Sequence, residues 1–198
     1  IRMSVMLRIC NLVAISLMTM LLPEIVSAES TFSVEEEKNL HEQFAKSAKE
    51  SGAVLFTPPP EWHLADPKGL PPSVKVMVVG KGEKEFPPSM NLGTEMYAGT
   101  LKQYLKRIKQ INESQGSEWK DLGTIRTEAG EASLSQVDLK SKWGDIHMMH
   151  VILLKEGMVY ILTASALKDE FPKFYKDFFN SLRSLRFNEQ KEGSVQTS

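Results

Sequence analysis

Two histidines stand three places apart, His147 and His150, in the stretch HMMHVILLKEGMVYILTAS (residues 147–165). They are half of the chain's four histidines, and two methionines separate them. Imidazoles this close can share a metal ion or divide acid–base work, provided both point the same way. On a helix a spacing of three places both on one side; on a strand successive side chains alternate faces, so the two point apart. The residues decide for a strand. Ile146, Met148, His150, Ile152 and Leu154 alternate with His147, Met149, Val151 and Leu153, and the content is that of a β-former. The neighbouring Asp145 does not change this. The pair is therefore not expected to hold a metal.

Other signatures begin and break off. His41–Glu42 opens the helical zinc-protease pattern, but Ala45 stands where the second histidine belongs. Gly80 and Gly82 start a dinucleotide fingerprint that Glu85 ends. Lys81 has no Gly-Lys-Ser/Thr around it, and no serine lies in a Gly-x-Ser-x-Gly elbow. The sequon Asn112–Glu113–Ser114 matters only in a eukaryotic secretory pathway. Lys102, Lys106, Arg107 and Lys109 read as the solvated side of a helix. No catalytic, cofactor-binding or metal-ligating residue is assigned, and no cofactor is expected.

The elements that would position any site follow from periodicity. Apolar residues on both faces make 146–154 a central strand. Lys155–Glu156–Gly157 is expected to form a three-residue hairpin with positive φ at the glycine, returning the chain as MVYILTAS. Two further strands precede it, within residues 119–128 and 132–140, with turns at Ala129–Gly130 and Trp143–Gly144–Asp145. Short links force antiparallel pairing, because a parallel return needs a long crossover. VKVMVVG (74–80) is another strand, and MNLG (90–93) opens a short one. Leu101, Tyr104, Leu105, Ile108 and Ile111 make the stripe of a middle helix that stops before Gly116. Phe171, Phe174, Tyr175, Phe178, Phe179, Leu182 and Leu185 mark a last helix, capped by Asp169, with Pro172 in its first turn. The proline-rich entry at 55–73 leaves Trp62 to plug into the core.

The N-terminal segment suggests export. Arg2 and Arg8 precede a mostly apolar run at 9–22, and IVSA (25–28) offers the small residues of a cleavage site. A signal peptide over residues 1–28 is expected. The single cysteine, Cys10, lies inside it, which leaves the mature chain without disulfide, zinc–thiolate or thiol chemistry. Without Arg2, Arg8 and Glu24 the remainder has 22 basic and 24 acidic residues, a balance that argues against nucleic acid as a partner. Residues 29–53 read as an extra helix, with a capping box at Ser33 and Glu36 and Leu40, Phe44 and Ala48 every fourth place. Residues 188–198 are polar and read as a disordered tail.

The order of parts resembles a known family. PPPEW (58–62) leads in, strands and a helix follow, then the G-x-x-Y-x-L-T-A-S strand (157–165) and an aromatic helix ending SLRSLRF (181–187). This is similar to the PsbP-like, or DcrB-like, α-β-α sandwich family, across a domain at residues 54–187. The resemblance implies an α+β fold, an antiparallel β-sheet flanked by helices on both faces. It also implies an exported, non-enzymatic binding or assembly-accessory module whose partner is another envelope protein. The membrane would be touched only through the signal segment, and the destination would be the periplasm of a two-membrane bacterium or otherwise the cell exterior. Two alternatives stay open: an exported hydrolase with an unsignalled active site, and a carrier of a small ligand or metal.

Overall fold

The computed structural model describes residues 54–187. The expected signal peptide, the helix at 29–53 and the tail at 188–198 lie outside the described residues. Among the described residues the fold is α+β: one large antiparallel sheet and two α-helices.

Four strands form a meander, β5 (Glu118–Thr127), β6 (Gly130–Ser141), β7 (Gly144–Lys155) and β8 (Met158–Leu167). Their closing pairs are Thr127↔Gly130, Ser141↔Gly144 and Lys155↔Met158, so every link is a two-residue turn. The last turn is one residue tighter than the sequence suggested. Both Glu156 (φ 52°) and Gly157 (φ 75°) are left-handed, which matches the twist of the strands they join.

On the far side of β8 lies β4 (Ser89–Met96), paired from Ser89↔Ser165 to Met96↔Met158. Its eight residues make it a full inner strand rather than a short one. Beyond it run β3 (Val74–Val79) and the two-residue β2 (His63–Leu64), giving the order β2-β3-β4-β8-β7-β6-β5. A second, two-stranded sheet joins β1 (Val54–Leu55) to β9 (Arg186–Phe187) and brings the two ends of the domain together.

The helices cover opposite faces. Helix α1 (Leu101–Ser114) starts with a capping box: Thr100 N–H donates to Gln103 Oε1 (2.9 Å) and Gln103 N–H to Thr100 Oγ1 (3.3 Å). It buries Tyr104 and Ile108 against Ile152, Val159 and Ile161. Leu101, Leu105 and Ile111 are only partly covered. The Tyr104 hydroxyl donates to Glu95 at 2.9 Å, which fastens the helix to β4.

Helix α2 (Phe171–Arg183) lies on the other face, with Phe171, Phe178 and Leu182 packed among Met149, Val151, Leu162 and Ala164. Fully burying each such large side chain contributes about 1.5–3 kcal/mol. Trp62 enters as expected, edge-on to Phe174 and Phe178 at 6.2 and 5.6 Å between ring centroids. Asp169 does not cap the helix. Glu170 holds the N-cap position without a capping bond, because Asp169 pairs instead with Lys84.

Candidate functional site: a cleft at the start of helix α2

Because β7 is a strand, its two histidines part company. His147 lies on the α2 face of the sheet and His150 on the α1 face. His150 is buried, its Nδ1 3.0 Å from Thr163 Oγ1, and desolvation pulls its pKa down to about 4. At neutral pH it is uncharged. Among the described residues no group of three or more His, Cys, Asp or Glu side chains is placed to hold a metal ion.

His147 has a different neighbourhood. Register puts it opposite Asp138 on β6, and Nδ1 lies 2.6 Å from Asp138 Oδ1. The other carboxylate oxygen accepts from Gln136 Nε2 (2.9 Å) and Lys168 Nζ (3.4 Å). Burial alone would raise the Asp138 pKa. The hydrogen bonds from His147 and Gln136, with the charges of His147 and Lys168, outweigh it and hold the carboxyl below the ordinary value. An ionised carboxylate only accepts, so the His147 proton sits on Nδ1. In the neutral ring Nε2 is then an acceptor.

Phe171 sits edge-on to the imidazole, 4.3 Å between ring centroids. His147, Lys168, Phe171, Pro172 and Tyr175 line a cleft of about 500 Å³. Pro172 belongs here because the first turn of a helix needs no amide from it. The loop between β3 and β4 is tied to this first turn: Lys173 pairs with Glu83 (2.7 Å), and Glu83 N–H donates to Glu170 Oε1 (3.0 Å).

Tyr175 belongs to the apolar stripe by its spacing, yet it is 51% exposed. Its ring stacks on Phe179 (4.5 Å, 36°), and the Arg183 guanidinium lies 5.7 Å over the same ring. An aromatic ridge therefore runs from the cleft along the outer side of α2.

A histidine oriented by a carboxylate is two-thirds of a nucleophilic triad. Among the described residues the cleft lining contains no serine, threonine or cysteine to be the third member. What the lining offers is an apolar wall, the Nε2 edge of the His147 ring and a cation at Lys168. The sequence did not point to Asp138. The one available signal was the hairpin: stepping back three places on each strand from Ser141↔Gly144 lands on Asp138 and His147.

With this geometry in place, the architecture, an antiparallel sheet with a helix on each face, is the one that the PsbP-like resemblance implied. The chain is similar to the solution structure of cyanobacterial PsbP from Synechocystis sp. PCC 6803, at 14% identity and TM-score 0.48, over 69% of this chain and 94% of that one. LpqN of Mycobacterium tuberculosis, described as involved in cell envelope biogenesis, is similar at 14% identity and TM-score 0.42, over 67% and 83%. So is the Ran-binding protein Mog1p of Saccharomyces cerevisiae, at 15% and 0.45, over 67% and 82%. These likenesses are of chain path alone. No family model matches the chain, and no curated protein matches it.

Proposed function

We propose that this is an exported, non-enzymatic envelope protein that works as a binding or assembly-accessory module. It grips another envelope protein through the cleft at the start of α2 and the ridge that continues it. The observation that carries this reading is Tyr175: half exposed, stacked on Phe179 and followed by Arg183. Tyrosine and arginine are the residues on which interfaces concentrate their binding energy. The matching partner presents an apolar side chain to Phe171 and Pro172 and a flanking carboxylate to Lys168. The leader expected from the sequence at residues 1–28 supports export, to the periplasm in a two-membrane bacterium and otherwise to the cell exterior.

A photo-crosslinking amino acid at Tyr175, in cells making the full chain, tests this. A discrete adduct with an envelope protein is expected from position 175 and not from position 102 on α1. Tyr175→Ala should weaken binding of that protein more than tenfold while changing stability by no more than about 0.5 kcal/mol. Crosslinking from position 102 alone would reject the surface.

The second reading, an exported hydrolase, rests on the His147–Asp138 pair. Ester hydrolysis by the purified protein, abolished in His147→Ala, would favour it over the first.

A further inference from the structure

The sheet face beneath α1 carries a line of polar side chains that the cleft does not use. Asn91 on β4 pairs with Thr163 on β8, Thr163 with His150 on β7, and His150 with Ser135 on β6. All four are buried. One step along, Trp119 on β5 pairs with Val137 and packs against both apolar clusters bordering the line, one around Phe86 and Met148, the other around Tyr104 and Ile152.

Five buried side-chain atoms lack a hydrogen-bond partner among the described residues, and three of them are here: Asn91 Oδ1, Ser135 Oγ and Trp119 Nε1. Two lie on one row of the sheet and the third on the next. Buried polar atoms in native proteins nearly always have a partner, from the protein or from bound solvent. The demands here are specific. Trp119 Nε1–H only donates and needs an acceptor; Asn91 Oδ1 needs a donor; Ser135 Oγ takes either. No side chain in the line carries a charge at neutral pH.

We propose that this line is an internal binding site for a neutral, hydrogen-bonding guest. It stretches between the strands from Asn91 to Ser135, three inter-strand steps or about 14 Å. That length suits a short file of waters or a small polyhydroxylated molecule lying across the strands. An ion is disfavoured, because nothing in the line would compensate its desolvation.

The test uses the full chain labelled with ¹⁵N and the indole N–H of Trp119, assigned with Trp119→Phe. A nuclear Overhauser cross-peak from this proton to long-lived water is expected. Ser135→Ala should weaken it while the Trp62 indole resonance stays in place. Glycerol, as the polyol probe, separates the two sources. Saturable movement of the Trp119 indole signal supports a polyol guest. A retained water cross-peak without movement supports water. Absence of both overturns the proposal. Asn91→Leu gives an independent sign: a lowered denaturation midpoint supports an occupied line, and a raised midpoint shows that Asn91 Oδ1 was an orphan in a dry core.

Discussion

The indole of Trp62 fills the space that a side chain on Gly80 would need: an added Cβ would lie 2.5 Å from Trp62 Cε2. The ring cannot swing away, since Phe174 and Phe178 hold it edge-on. Gly80 is also fixed from the other side, where its N–H donates to the Pro88 carbonyl at 2.8 Å. Gly80→Ala should therefore destabilise by about 1–3 kcal/mol, the ordinary cost of overpacking. Urea denaturation followed by tryptophan fluorescence measures it. A midpoint equal to the parent's would show that Trp62 is loosely seated.

His150 makes a prediction in mild acid. Its folded pKa of about 4 lies below the ordinary 6.5, because the buried ring resists charging. As pH falls below 6.5 the unfolded chain takes up a proton that the native state refuses. Stability is thus lost between pH 6.5 and 4, by about 3 kcal/mol in all, and the loss levels off below the folded value. His150→Gln should flatten the denaturation midpoint across that window, whatever it costs at pH 7. An equally steep variant would assign the acid sensitivity elsewhere.

Asp138 acts at lower pH with its own sign. Its folded pKa is depressed from 3.8, so the native state prefers the carboxylate. The stabilisation is present above the unfolded value and disappears as pH drops through the folded one. Asp138→Asn should lower the midpoint at pH 7, and the gap to the parent should close as pH is taken well below 3.8. His147 Nδ1 would lose its ionised acceptor in this variant, so the imidazole ¹⁵N resonances should shift with it. Unchanged resonances would mean that the 2.6 Å contact does not persist in solution.

How far the sequence reveals this arrangement depends on whether the deciding force is local. The parting of His147 and His150 was legible, because strict alternation is a property of the strand itself. Their surroundings were not. Placing the turn at Trp143–Gly144–Asp145 rather than Lys142–Trp143 hides the register that sets Asp138 against His147. Strand β4 reads as short because Ser89 and Gly93 look like loop composition until Ser165 and Ile161 are known to lie opposite. Asp169 looks like a cap until Lys84, distant in sequence, draws it away. The aromatic stripe of α2 is wider than the face the sheet covers, so Tyr175 is left outside. That surplus is what the proposed binding surface is made of.

The hairpin at Glu156 offers a stabilising change. Glu156 holds φ at 52°, a left-handed conformation that costs most residues roughly 1 kcal/mol or more. Asparagine tolerates it, and Asn-Gly is the pair that two-residue turns of this hand prefer. No side-chain contact argues for keeping glutamate: it is exposed, and its charge raises the pKa of Tyr160 only as a contribution secondary to burial. Glu156→Asn should thus raise stability by about 0.5–1 kcal/mol without touching the cleft, which lies toward the opposite end of β7. A lowered thermal midpoint would show that the turn opens into the three-residue form, with Lys155 and Met158 no longer paired.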